Sequence, residues 1–217
     1  MNASPRPGKI VCVGLNYREH AREQGIEPPA GPLLFAKWPN TVIFDGEPIV
    51  VPRVSAQIDY EGELGVVIGA VARRVPAVAA LDFVESYVAA NDVSARDVQY
   101  GDGQWTRGKS FDTFLPMSDR RPASEVPDPH KLRLRTFVNG QVMQDSNTSD
   151  MIFTIPTIIE FVTQEITLEP GDLILTGTPS GVGAHRNPQI WLRAGDVVTV
   201  EIEGVGRVTN PVVSATP

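Results

Sequence analysis

The sequence predicts an α+β fold, mostly β, in the form of a mixed, rolled β-structure. Three observations predict it. Glycine and proline number 19 each in 217 residues, so turns are frequent and long helices few. Short apolar runs bounded by turn residues recur along the chain, and few segments carry a helical period. Strands and helices do not alternate regularly, which disfavours a doubly wound parallel sheet. The length fits one domain, and 41% hydrophobic residues suffice for a real core.

The elements follow in order. Residues 9–13 read as a strand that turns at Gly14, with Cys12 as a small apolar residue inside it. Residues 17–24 read as a short helix, stopped by Gly25 and then Pro28 and Pro29. Residues 33–37, 49–51 and 61–68 read as strands. The apolar run 84–93 reads as a buried strand that ends in polar residues. Residues 94–100 read as a helical turn closed by Gly101. Residues 132–138 and 141–144 flank Asn139-Gly140, a strong hairpin signal. Residues 156–165 form the clearest helix, with Thr154 as cap and Ile158, Ile159 and Val162 as its apolar stripe. Strands at 173–176 and 197–202 complete the pattern.

Acids outnumber bases, 26 against 19, giving a formal charge of −7. A nucleic-acid partner needs a basic face, and an anionic membrane would repel this surface. No apolar run approaches the length of a membrane span. One cysteine permits neither an intrachain disulfide nor a cysteine metal site. The stretch 1–7 lacks the apolar segment of a secretory leader, so a cytoplasmic location is expected.

Some of the acids sit where acids are not expected. Side chains alternate along a strand, so Glu61 and Glu63 share a face, and 64–68 continue without charge. Two like charges raise each other's pKa unless something positive lies between them. Oxygen-only ligands suit Mg²⁺ or Mn²⁺. The alternative, an exposed edge with two solvated acids, fits the apolar continuation less well. Asp92, at the end of a buried run, is a third candidate ligand; its plain role would be a turn or cap residue. His20 and Glu23 lie three apart on one helix face, where a carboxylate can orient an imidazole to activate water. A solvated surface pair is the commoner meaning of that spacing. Lys109, among aromatic residues, either snorkels over a ring or meets a substrate carboxylate. The glycine-rich stretch 171–183 matches neither phosphate-binding fingerprint; it is a tight connection or a loop whose N–H groups approach a ligand. His130 and His185 receive no role.

Five ordered blocks resemble the fumarylacetoacetate hydrolase superfamily: VGLNYREH (13–20), DYEGEL (59–64), NDVSARDVQ (91–99), GKSFD (108–112) and ILTGTP (174–179). The resemblance runs from about residue 9 to residue 213. It implies a mixed β-sandwich roll of that family's C-terminal domain type, residues 1–217 as a single catalytic domain, and a homodimer. It implies Mg²⁺ or Mn²⁺ on Glu61, Glu63 and Asp92. His20 and Glu23 would activate water from a mobile N-terminal helix, 17–24, acting as a lid. Lys109 would contact the substrate, and Lys37, Arg96, Gln99 and Thr178 would line its pocket. The expected partner is a small anionic oxo acid. The expected reaction is cleavage of a C–C bond in a 2,4-dioxo acid such as an acylpyruvate, through a metal-bound enolate. The same site could instead isomerise a 2-hydroxyhepta-2,4-diene-1,7-dioate or decarboxylate oxaloacetate, and a non-catalytic metal-binding protein is the further alternative.

Overall fold

The computed structural model describes residues 6–215; residues 1–5 and 216–217 lie outside it, including most of the stretch read for a leader. One mixed sheet contains β1 (Ile10–Gly14), β2 (Leu33–Lys37), β6 (Gly62–Ile68), β7 (Val84–Asn91), β10 (Arg121–Pro122) and β13 (Leu173–Leu175). Its order is β10-β7-β6-β13-β1-β2, antiparallel except where β1 meets β13. A second sheet contains β4 (Ile49–Val51), β11 (Arg133–Val138), β12 (Gln141–Asn147), β14 (Val197–Ile202) and β15 (Gly206–Ser214). Its order is β12-β11-β14-β15-β4, parallel only between β15 and β4. Two short pairs join β3 (Val42–Ile43) to β9 (Leu115–Pro116) and β5 (Ile58–Asp59) to β8 (Ser94–Ala95). The helices are α1 (Arg18–Gln24), α2 (Arg96–Asp102), α3 (Trp105–Lys109) and α4 (Ile155–Thr163). This is the α+β, mostly β roll that the sequence predicts.

The two-residue period of β6 sorts its side chains between two environments. Leu64, Val66 and Ile68 face the intersheet core with Leu134, Val200 and Ile202. The apolar stripe of α4, Ile155, Ile158, Ile159 and Val162, covers that core, and Thr154 caps the helix by accepting from Thr157 N–H. Val67 faces the other side, against Cys12, Val88, Ala90 and Leu175. Glu63 and, before the strand begins, Glu61 share the parity of Val67. The strand that builds the core therefore delivers two acids to its opposite face.

Most element ends agree with the sequence reading within two residues. The strand at 84 stops at Asn91, because Val93 N–H turns back to the Asn91 carbonyl and points Asp92 away from the ladder. The two-residue strands β3, β5, β8, β9 and β10 lack a local signal, and so do β15 and α3. The strand β15 contains Asn210 and Pro211, poor strand residues, and owes its order to pairing with β14 and β4. The short helix α3 contains Gly108 and is held by packing on α2.

Two backbone positions place the site. Leu15 holds φ 50, a left-handed conformation costing a non-glycine residue about 1–2 kcal/mol. It is imposed from both sides: β1 ends at Gly14, and Asn16 is pinned by bonds from its Nδ2 to the Thr176 and Phe153 carbonyls and from Phe153 N–H to its Oδ1. Gly108 permits close approach of α3 to α2, since a Cβ there would lie 2.7 Å from the Gln99 backbone nitrogen. Gly108→Ala is expected to destabilise the protein by about 1–3 kcal/mol, measured by urea unfolding, because backbone rather than a flexible side chain must move.

Candidate active site

The start of β6, the residue after β7 and the end of α3 converge on one buried cluster. Glu61, Glu63 and Asp92 each offer a carboxylate oxygen, and these atoms all lie within 4.8 Å of one another. The backbone enforces the convergence: Asp92 N–H donates to the Glu61 carbonyl, and Glu61 N–H donates to Asn91 Oδ1 at 2.9 Å.

Three cations answer these acids. Lys109 Nζ bridges Glu61 Oε2 at 2.7 Å and Asp92 Oδ2 at 2.6 Å. Arg96 bonds Glu61 Oε1 at 2.5 Å through one nitrogen, Asp59 Oδ2 at 2.8 Å through Nε, and Gln99 Oε1 at 3.0 Å through another. Lys37 Nζ donates to Asp92 Oδ1 at 2.7 Å, to the Val93 carbonyl and to the Lys109 carbonyl. Burial pushes the Glu61 carboxyl up, but Lys109 and Arg96 overcome this and hold it at about 2. Lys109 titrates above the ordinary lysine range: burial opposes its charge, and Asp92 and Glu61 outweigh burial. Glu63 differs. It accepts Gly177 N–H at 2.7 Å and forms no ion pair among the described residues. Burial first, then Asp92 and Glu61, push its carboxyl well above the usual range.

With Asp59, four acids face three bases, and the unbalanced charge lies on Glu63. A hard divalent cation supplies what the cluster lacks: positive charge within reach of three oxygen donors, one of them otherwise uncompensated. The residues fit such an ion.

The helix α1 brings a second group to the same cavity. His20 Nδ1 lies 2.9 Å from Glu23 Oε2, and His20 Nε2 lies 2.7 Å from Gln24 Nε2. A carboxylate only accepts and an amide nitrogen only donates, so Nδ1 carries the proton and Nε2 is the acceptor. Glu23 Oε1 accepts Gly181 N–H at 2.9 Å, tying α1 to the glycine-rich loop. Burial works against the Glu23 charge, yet the bonds from His20 and Gly181 keep its carboxyl below the usual range. The His20 side chain is 7% exposed, so the pair is not a solvated surface contact.

The cavity encloses about 290 Å³. Glu61, Glu63, Lys109, Arg96, Gln99 and Thr178 form its polar floor, and His20 and Gln24 stand over it. Thr178 donates to the Gly62 carbonyl at 3.0 Å and accepts from Gln144 Nε2. The structure brings His20, Glu61, Glu63, Arg96, Gln99, Lys109 and Thr178 to the cavity, with Glu23 behind His20 and Asp92 behind Lys109. Lys37 does not reach the cavity wall. Its three donors are consumed behind Asp92 and its side chain is 0% exposed, so it supports a carboxylate rather than facing a ligand.

Three participants had no place in the sequence reading. Asp59 orients Arg96 and accepts Gly183 N–H at 2.7 Å and Ala184 N–H at 3.1 Å. Its parity with Glu61 and Glu63 was the available signal. Gln24 lies four residues after His20, one helical turn along the same face. His185 sits with its ring centroid 5.8 Å from that of His20; nothing local marks it.

Known proteins resemble this chain in sequence and in fold. The family model described as fumarylacetoacetate (FAA) hydrolase C-terminal matches residues 9–213. The mitochondrial oxaloacetate tautomerase FAHD2A of Bos taurus is 45% identical over 211 residues, covering 96% of this chain and 67% of the bovine protein. The solved 2-hydroxyhepta-2,4-diene-1,7-dioate isomerase of Mycobacterium marinum superimposes with a TM-score of 0.86 at 43% identity, covering 97% of this chain and 76% of that one. The 5-carboxymethyl-2-hydroxymuconate delta-isomerase of Mycobacterium smegmatis gives 0.87 at 42% identity, covering 98% and 82%.

Glu63→Gln is expected to act in opposite directions with and without metal. In metal-free protein near neutral pH, folding must protonate Glu63 or bury its charge; the amide removes that cost, so stability in urea should rise by on the order of 1 kcal/mol and vary less with pH. With Mg²⁺ or Mn²⁺ present, the parent protein should gain stability and the variant should not.

Proposed function

The chain belongs to the fumarylacetoacetate hydrolase family and is an enzyme of that family, and from that premise we propose that it hydrolyses a C–C bond in a 2,4-dioxo acid of acylpyruvate type. The observation that carries this reading is the chain of hydrogen bonds Glu23–His20–Gln24, standing in the same cavity as Glu61 and Glu63. Proton transfer between carbons needs a base; hydrolysis needs a base that holds water, and an oriented, largely buried imidazole meets that need.

Glu61, Glu63 and Asp92 would hold Mg²⁺ or Mn²⁺, which when bound supplies orientation for an anionic oxo acid and positive charge against the charge that develops. Gln99 offers its amide N–H groups to the substrate carboxylate, and Thr178, whose hydroxyl proton is held by the Gly62 carbonyl, shapes the wall beside it. His20 Nε2, once released by Gln24, accepts a proton from water, and Glu23 balances the resulting imidazolium. The hydroxide adds to the C4 carbonyl and the C3–C4 bond breaks, giving a carboxylic acid and the enolate of pyruvate. The proton on His20 then returns to C3. Lys109 and Arg96 lend positive charge beside the enolate oxygen.

The fold around this site, about residues 9–213, acts in this reading as one catalytic unit with α1 as its lid; the Glu23–Gly181 bond is the latch in the closed position. The resemblance implies a homodimer, and the bovine relative is named as mitochondrial. The names of the relatives favour a second reading, isomerisation or tautomerisation, in which His20 moves a proton between substrate atoms without water.

The variant His20→Ala separates the two. Assayed with Mg²⁺ on acylpyruvates, oxaloacetate and hydroxy-dienedioates, it should lose hydrolysis by about 10²–10⁴-fold while tautomerisation persists. Undiminished hydrolysis would remove the role given to His20.

A further inference from the structure

The cavity changes character outward from its polar floor. Lys109 Nζ lies 5.0 Å from the Phe35 ring centroid, and Phe35 stacks edge-on with Trp105 at 5.2 Å. Trp105 lies over Gly14 so closely that a Cβ on Gly14 would come within 2.4 Å of the indole ring. Leu15, held in its left-handed conformation, lines the wall beside them, and Leu33 and Ile26 complete it. Leu33 is 46% exposed and Ile26 50%, so large apolar side chains stand open to solvent at the mouth of a site built for an anion. Lys109 and Arg96 are committed to Asp59, Glu61 and Asp92 at the floor. His185 and the phenol of Tyr100 also line the cavity; neither carries a fixed positive charge, since burial together with His20 holds His185 toward its neutral form.

We propose that this outer chamber selects oxo acids whose far end is an uncharged alkyl or aryl group and discriminates against those ending in a second carboxylate. The proposal rests on the oxo-acid reading above and adds the substrate's second half to it. An apolar tail covers the open faces of Leu33, Ile26 and Trp105, gaining the free energy of removing that surface from water. A terminal carboxylate would be desolvated against the same groups without a lysine or arginine to receive it. This sets the chain apart from the neighbours named as acting on a dienedioate.

The test is equilibrium binding by calorimetry with Mg²⁺, which does not depend on the reaction catalysed. Three probes share one head: pyruvate, 2-oxohexanoate and 2-oxohexanedioate. The proposal expects 2-oxohexanoate to bind about tenfold or more tighter than both others. Leu33→Arg should reverse the order by admitting the dioate, and Ile26→Arg provides the same reversal if the first variant folds poorly. If pyruvate binds but the dioate equals or exceeds 2-oxohexanoate in the parent protein, the chamber proposal falls and the oxo-acid reading stands. If none of the three binds, the oxo-acid reading falls and takes the chamber with it.

Discussion

Three carboxylates buried within 4.8 Å of one another set the terms for the rest of this structure. Each loses water that no apolar neighbour can replace, and their mutual repulsion strengthens in a medium of low dielectric. Lys109 and Arg96 answer Glu61; Lys37 and Lys109 answer Asp92. Glu63 receives a backbone N–H instead. A cluster left one positive charge short is a poor device for stability and a suitable one for binding a cation. The arrangement therefore reads as a site maintained against the folding equilibrium rather than for it.

The same network ties distant parts of the chain together. Asp59 accepts N–H groups from Gly183 and Ala184, Glu63 accepts one from Gly177, and Glu23 accepts one from Gly181. The glycine-rich loop thus presents successive amides to acids from three separate elements. The loop is neither a phosphate cradle nor a simple connection; it is the strip on which α1, β5 and the cluster before β6 are mounted. Asn16 fastens the opposite side, and the left-handed Leu15 is the local consequence.

Much of this was legible in the sequence, in proportion to how local each signal is. The period of two placed Glu61 and Glu63 on one face, and β6 bears this out by sending Leu64, Val66 and Ile68 into the core. The helical period put His20 beside Glu23, and their bond is present. The family resemblance added Arg96, Gln99 and Thr178, which line the cavity. Lys37 shows where such transfer stops. Residue type and position persuade equally for a substrate ligand and for a counter-ion, and only the tertiary path of β2 behind Asp92 decides between them. Asp59 was given no role although its parity was visible, because parity names a face and not a partner. His185 and β15 were illegible for a different reason: their places depend on partners far along the chain.

We propose that Glu61, Glu63 and Asp92 form one cation site whose missing charge a divalent ion supplies. Titration of the metal-free protein with Mn²⁺, followed by the paramagnetic relaxation of water protons, tests it most directly. The expected result is a single saturable site per chain, competed by Mg²⁺, with enhanced relaxation because three carboxylates leave coordination positions to water. Weak, unsaturable binding that Mg²⁺ does not compete would contradict it.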